Sequence, residues 1–143
     1  LVAGTGPNML HHKDIGTLLA SVRDAQDTSF ADAVVARSYA RQLPPDLHRE
    51  VIRYARAGRR EVVLEVLTSQ HVLDLEPELA AVTLPVQVVH GRHDRARSLD
   101  DARRLLTGLP DAELVVLDTG HTPMAEDPEG FAAAVRRLLE RCQ

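Results

Sequence analysis

The chain has 143 residues, a formal net charge of -4, 44% hydrophobic and 27% charged residues, the make-up of one globular domain or part of a larger one. The acidic balance argues against a nucleic-acid partner. The single cysteine, Cys142, excludes a disulfide framework and a Cys-based zinc site, and no apolar run approaches the roughly 20 residues that a membrane-spanning helix needs.

Leu1–Pro7 reads as an apolar strand end closing in a Gly-Thr-Gly-Pro turn. Gly4-Thr5-Gly6 has the look of a phosphate loop, but Met9 stands where the dinucleotide fingerprint needs glycine, so that reading is rejected. His11 and His12 are adjacent, so a helix would point them about 100° apart, a poor metal pair.

From Asn8 to Val82 the pattern is helical. Ile15, Leu18, Leu19 and Val22 predict an amphipathic helix over 12–25. A second helix is predicted from Thr28 or Ser29 to just before Pro44-Pro45. Asp46 is the predicted cap of a third, with Leu47, Val51, Tyr54 and Ala55 as its apolar stripe and Gly58 as its stop. A fourth is predicted over Glu61–Leu73, after which Pro77 and Pro85 punctuate the chain. Seven arginines between Arg37 and Arg60 face only Asp46 and Glu50, a local charge of +5. With Arg49, Arg53, Arg56 and Arg60 on one face, this reads as a solvated surface or, more sharply, a dock for an anionic substrate tail or an acyl-carrier partner.

Leu84 to Gln143 alternates strand and helix. Val86 to His90 is a β-branched run bounded by Pro85 and Gly91, as a buried parallel strand is. Ser98 and Asp101 form a capping-box pair ahead of the stripe Leu99, Ala102, Leu106 and Leu109. Glu113–Leu117 is the next predicted strand. Asp127-Pro128-Glu129 opens a last helix whose predicted buried face is Phe131, Val135, Leu138, Leu139 and Cys142. The order implies α/β architecture with a mostly parallel sheet and a right-handed crossover.

Two positions in this zone carry chemistry together. His90-Gly91-Arg92-His93-Asp94 places an acid just beyond one strand, and Thr119-Gly120-His121 places an imidazole beyond the next, 27 positions later. Parallel neighbours present these ends at one sheet edge, where open α/β folds bind ligands. Such a carboxylate can accept the imidazole Nδ1 proton, fix the tautomer and stabilise the imidazolium, which makes an oriented general base. His93 reads as a loop histidine facing water. Met124, Met9 and the leucines of the helical segment read as core rather than as a pocket lining.

Residues Leu84 to Asp94 resemble the acid segment of the α/β-hydrolase superfamily, a proline, an apolar strand and then HG-x-x-D. Gly120-His121 through Glu126-Asp127-Pro128-Glu129-Gly130-Phe131 resembles the histidine segment of the same superfamily. The resemblance implies Asp94 as the triad acid and His121 as the triad base. It also implies 1–7 as the end of a core strand, 8–82 as a helical cap and 83–143 as the C-terminal part of the core. No G-x-S-x-G elbow occurs in the 143 residues, and none of Ser21, Ser29, Ser38, Ser69 or Ser98 has glycine flanks. With Leu1 in place of a Met, the expectation is a C-terminal portion of a longer hydrolase, inactive alone, with nucleophile and oxyanion hole upstream. The proline sometimes found shortly after the acid is missing from Arg95-Ala96-Arg97-Ser98.

The expected activity is hydrolysis of an ester or similar bond in a small apolar substrate, with no cofactor, no metal and a cytoplasmic location. A signal peptide upstream of Leu1 stays open. Tyr39 and Tyr54 lie where epoxide-opening relatives use tyrosine acids, although Tyr54 also fits the packing stripe of its helix. Alternatives on the same fold are a non-catalytic ligand receptor or interaction protein, and a lyase or cofactor-free oxygenase. An unpaired first-strand edge predicts pairing with another chain, a second copy included.

Overall fold

The computed structural model of the chain describes residues 2–3, 7, 15–25 and 27–143; Gly4-Thr5-Gly6, Met9 and His11-His12 lie outside them. The chain divides into two compact units, one of residues 1–7, 37–41 and 75–143, the other of 8–36 and 42–74. Arg37–Arg41 and the 3₁₀ helix Glu76–Ala81, both inside the segment expected as a cap, thus group with the sheet.

In the first unit the described strands β1 (Val2–Ala3), β2 (Val86–Gly91) and β3 (Ala112–Leu117) form a parallel sheet in that order. β2 runs between two neighbours and every residue of it is buried, whereas every residue of β3 is half-buried. The register pairs Val86 with Ala112 and Gly91 with Leu117, so the two strands end level. Helix α5 (Leu99–Gly108) starts at the capping box that the spacing predicted: the Ser98 Oγ accepts from the Asp101 amide, and the Asp101 carboxylate accepts from the Ser98 amide. Its buried face is Ala102, Leu105 and Leu109, packed on Val86, Val88 and Leu79. Leu106, placed on the predicted stripe, packs only at the margin, because Leu105 sits squarely over the sheet.

Two short elements escaped the sequence pattern. The 3₁₀ helix docks through Leu79, and the four-residue helix α6 (Pro123–Glu126) follows His121. Neither is long enough to show a period. The last helix, α7 (Pro128–Arg141), begins as predicted, with Asp127 Oδ1 accepting the Gly130 amide at 2.9 Å. Its predicted face needs correction: Ala134 is the buried residue, Leu139 is 58% exposed, and Cys142 is exposed.

In the second unit, α1 (Ile15–Asp24), most of α2 (Phe30–Ser38), α3 (Pro45–Arg56) and α4 (Arg60–Val72) supply the helices. Val22, Phe30 and Ala31 form the core, with Leu18, Ala55, Val63, Leu64 and Leu67 around them. α2 ends at Ser38, earlier than its prolines implied, and Pro44 rather than Asp46 caps α3. Tyr54 does not pack on the stripe of α3; it is 80% exposed, and Val51, Ile52 and Ala55 carry what packing that helix has.

The contrast between α5 and α7 is testable by urea denaturation. Leu105→Ala should cost about 2–5 kcal/mol, as a cavity over the sheet does, whereas Leu139→Ala should fall within about 0.5 kcal/mol of wild type.

Candidate active site

The level ends of β2 and β3 decide where the two candidate residues stand. Beyond the last strand pair the ladder continues, with the Arg92 amide donating to Leu117 O at 2.8 Å and the His93 amide to Thr119 O at 2.9 Å. The two loops therefore leave the sheet bound to each other. This approach requires glycine: a Cβ on Gly91 would lie 1.9 Å from Gly120 O and 2.5 Å from Thr119 O.

Asp94 and His121 meet at this edge. His121 Nδ1 lies 2.8 Å from Asp94 Oδ2, with the carboxylate fully buried and the imidazole side chain 30% exposed. The other carboxylate oxygen, Oδ1, accepts the Ala96 and Arg97 amides at 2.7 and 2.9 Å, so the acid loop wraps its own side chain. Burial pushes the Asp94 carboxyl up. The His121 hydrogen bond and the Arg97 and Ala96 amides outweigh burial and hold it below its ordinary value. An ionised carboxylate only accepts, so Nδ1 carries the proton and Nε2 presents its lone pair. Among the described residues Nε2 has no hydrogen-bond partner.

Around this pair lie groups to which the sequence reading gave no role. His93, read as facing water, is half exposed and places Nε2 2.6 Å from Asp118 Oδ1. Asp118 also accepts from Arg41 at 2.7 Å, and these two partners hold its carboxyl below the ordinary value. His90 is 1% exposed on the face of β2 that α5 covers, and its Nδ1 has no partner. Burial pushes its imidazole down, against the nearby Asp94 charge. Met124 is exposed, Tyr39 is half-buried, and among the described residues no group of three His, Cys, Asp or Glu side chains could hold a metal ion.

The arginine face of the second unit is paired. Arg49 bonds Asp46, Arg53 bonds Glu50 at 2.6 Å, Arg56 bonds Asp32 at 3.0 Å, and Arg60 donates to Ala25 O. An open groove of about 970 Å³ lies beside them, its lining including Asp32 and Glu50 as well as Arg53 and Arg56. Acids interleave with the bases, so the patch is not a free cationic dock.

No family model matches the chain. A 66-residue stretch, 46% of this chain and 25% of the relative, is 40% identical to AB hydrolase superfamily protein YisY of Bacillus subtilis. Another of 64 residues, 44% of this chain and 23% of the relative, is 39% identical to a 2-hydroxy-6-oxononadienedioate/2-hydroxy-6-oxononatrienedioate hydrolase of a Pseudomonas species. Among solved structures, an esterase from Exiguobacterium antarcticum superposes with a TM-score of 0.79 at 16% identity, over 87% of this chain and 47% of that one. The chain has the fold of the C-terminal part of an α/β-hydrolase. The matched stretches span about a quarter of the length of these curated relatives, and the chain spans about half of the esterase.

Within the α/β-hydrolase fold, the two loops that carry Asp94 and His121 are those at the carboxyl ends of neighbouring parallel strands, the edge where open α/β sheets do their chemistry. No helix among the described residues is long and apolar enough to cross a membrane.

The two buried titratable groups set a pH dependence. A histidine with a depressed folded-state value binds its proton more readily when unfolded. The His90 contribution is therefore complete above its ordinary 6.5 and is lost as pH falls from there through the folded value. The Asp94 contribution is present above its ordinary 3.8 and is lost only below it. Urea midpoints should decline between pH 7 and 5, and His90→Asn should flatten that decline; parallel curves would contradict the assignment.

Proposed function

We propose that the intact protein is a hydrolase in which Asp94 and His121 are the acid and base of a nucleophile–His–Asp triad. The observation that carries this reading is the 2.8 Å Nδ1–Oδ2 contact between a fully buried carboxylate and a partly exposed imidazole. The carboxylate orients the ring and stabilises its positive charge, while Nε2 faces away with a free lone pair.

The nucleophile and the oxyanion-hole amides come from a segment other than these 143 residues. The nucleophile attacks the carbonyl carbon of an ester or similar bond, and Nε2 takes its proton. The imidazolium then protonates the leaving group, and the same nitrogen activates the water that releases the acyl product. If the nucleophile is an aspartate, His121 acts only in the second half, activating the water that cleaves the ester intermediate. The names of the esterase and of the oxononadienedioate hydrolase support hydrolysis of a small carbonyl substrate. The helical unit is the substrate cap in this reading. The His–Asp geometry alone is shared with lyases and cofactor-free oxygenases of the fold, so product analysis on an ester panel forms part of the test.

In the intact protein, His121→Ala should lower kcat by about 10³–10⁶-fold and Asp94→Asn by about 10⁴-fold, with circular dichroism unchanged. Turnover near wild type in both variants would overturn the triad.

A further inference from the structure

His121 sits in a loop that is anchored on both of its flanks, and one carboxylate does most of the anchoring. Glu126 Oε1 accepts the Gly120 amide at 2.7 Å. Its Oε2 accepts the Ala40 amide at 2.9 Å and the Arg41 amide at 3.1 Å. On the other flank, Thr122 Oγ1 donates to Ser38 O at 3.1 Å. Segment 37–41 groups with the sheet although the chain on either side of it belongs to the helical unit.

The backbones approach as closely as glycine permits. A Cβ on Gly120 would lie 2.5 Å from the Ala40 nitrogen and 2.9 Å from Glu126 Oε1. The histidine loop is therefore held between the Gly91 turn on one side and residues 39–40 on the other. Three backbone N–H groups converge on one side chain, each in a place that strand or helix bonding does not reach. An unmade bond there leaves a donor unsatisfied.

We propose that Glu126 is a positioning residue for His121, its carboxylate bridging the Gly120 amide to the Ala40 and Arg41 amides and so fixing the imidazole against Asp94. This inference rests on the triad reading. Removing the bridge frees Gly120, the residue next to the ring, while the Asp94 loop keeps its own bonds to Ala96 and Arg97. The expected defect is in the aim of the imidazole and not in substrate affinity, because Glu126 is spent on backbone amides.

The test uses Glu126→Ala and Glu126→Gln in the intact protein, with His121→Ala as reference. Glu126→Ala should lower kcat about 10²-fold, the scale of a misplacement of about 1 Å, with KM nearly unchanged. It should also broaden or shift the downfield NMR signal of the His121 Nδ1 proton and speed amide exchange at Gly120, Ala40 and Arg41. Glu126→Gln keeps one carbonyl acceptor but turns an NH₂ toward the amides on the other side, so its losses should be smaller and in the same direction. Wild-type kcat with an unmoved Nδ1 signal, in whichever variant stays folded, would overturn the proposal. So would a fall in kcat with that signal unmoved, since Glu126 would then act elsewhere. If His121→Ala itself keeps wild-type turnover the triad reading fails, an outcome distinct from either of these.

Discussion

A carboxylate with no solvent exposure is costly unless every lone pair it needs is used, and Asp94 is in that position. Its own loop supplies two amides to Oδ1, and His121 supplies a ring N–H to Oδ2. The amide pair is local and forms whenever the loop closes. The imidazole bond spans 27 positions and exists only because two parallel strands end level. The ring proton is thereby fixed on Nδ1, which leaves Nε2 with the lone pair that general-base chemistry needs.

Holding that bond requires the surrounding backbone to be unusually close. Gly91, Gly120 and the 39–40 segment pass one another at distances that leave no room for a side chain, and the bonds at Arg92, His93 and Glu126 secure the passage. The two glycines are there for space. His90 is buried beneath the acid loop, and that burial pushes its imidazole down, against the Asp94 charge. Asp118, at the end of β3, ties His93 of one loop to Arg41 of the neighbouring segment.

The helical unit follows a different economy of charge. Arg49 and Arg53 reach acids on the same helix, Arg56 an acid on α2 and Arg60 the Ala25 carbonyl, and such exposed ion pairs are worth little individually. Asp32, outside the 37–60 window, adds a third acid to this face, so the sum over that window overstated the positive charge a partner would meet there.

Local signals in the sequence were legible where a period, a cap or a turn decides the structure by itself. The strand at Val86, the Ser98–Asp101 capping box and the Asp127-Pro128 helix start are of this kind, as are the HG-x-x-D and Gly-His motifs. Which residue of a stripe is buried was not legible: Leu105 displaced Leu106, and Tyr54 and Leu139 turned outward, because burial depends on what an element packs against. Elements shorter than a period, such as Pro123–Glu126, left no pattern to read. Glu126 stood in the histidine segment with no evident partner, since two of its three amides lie 85 and 86 positions away. The sequence by itself determined the order of the strands and longer helices and the two residue types at the sheet edge. Only the tertiary structure decided that the two side chains touch and which backbone groups hold them, because long-range bonds depend on where the folded chain returns to itself.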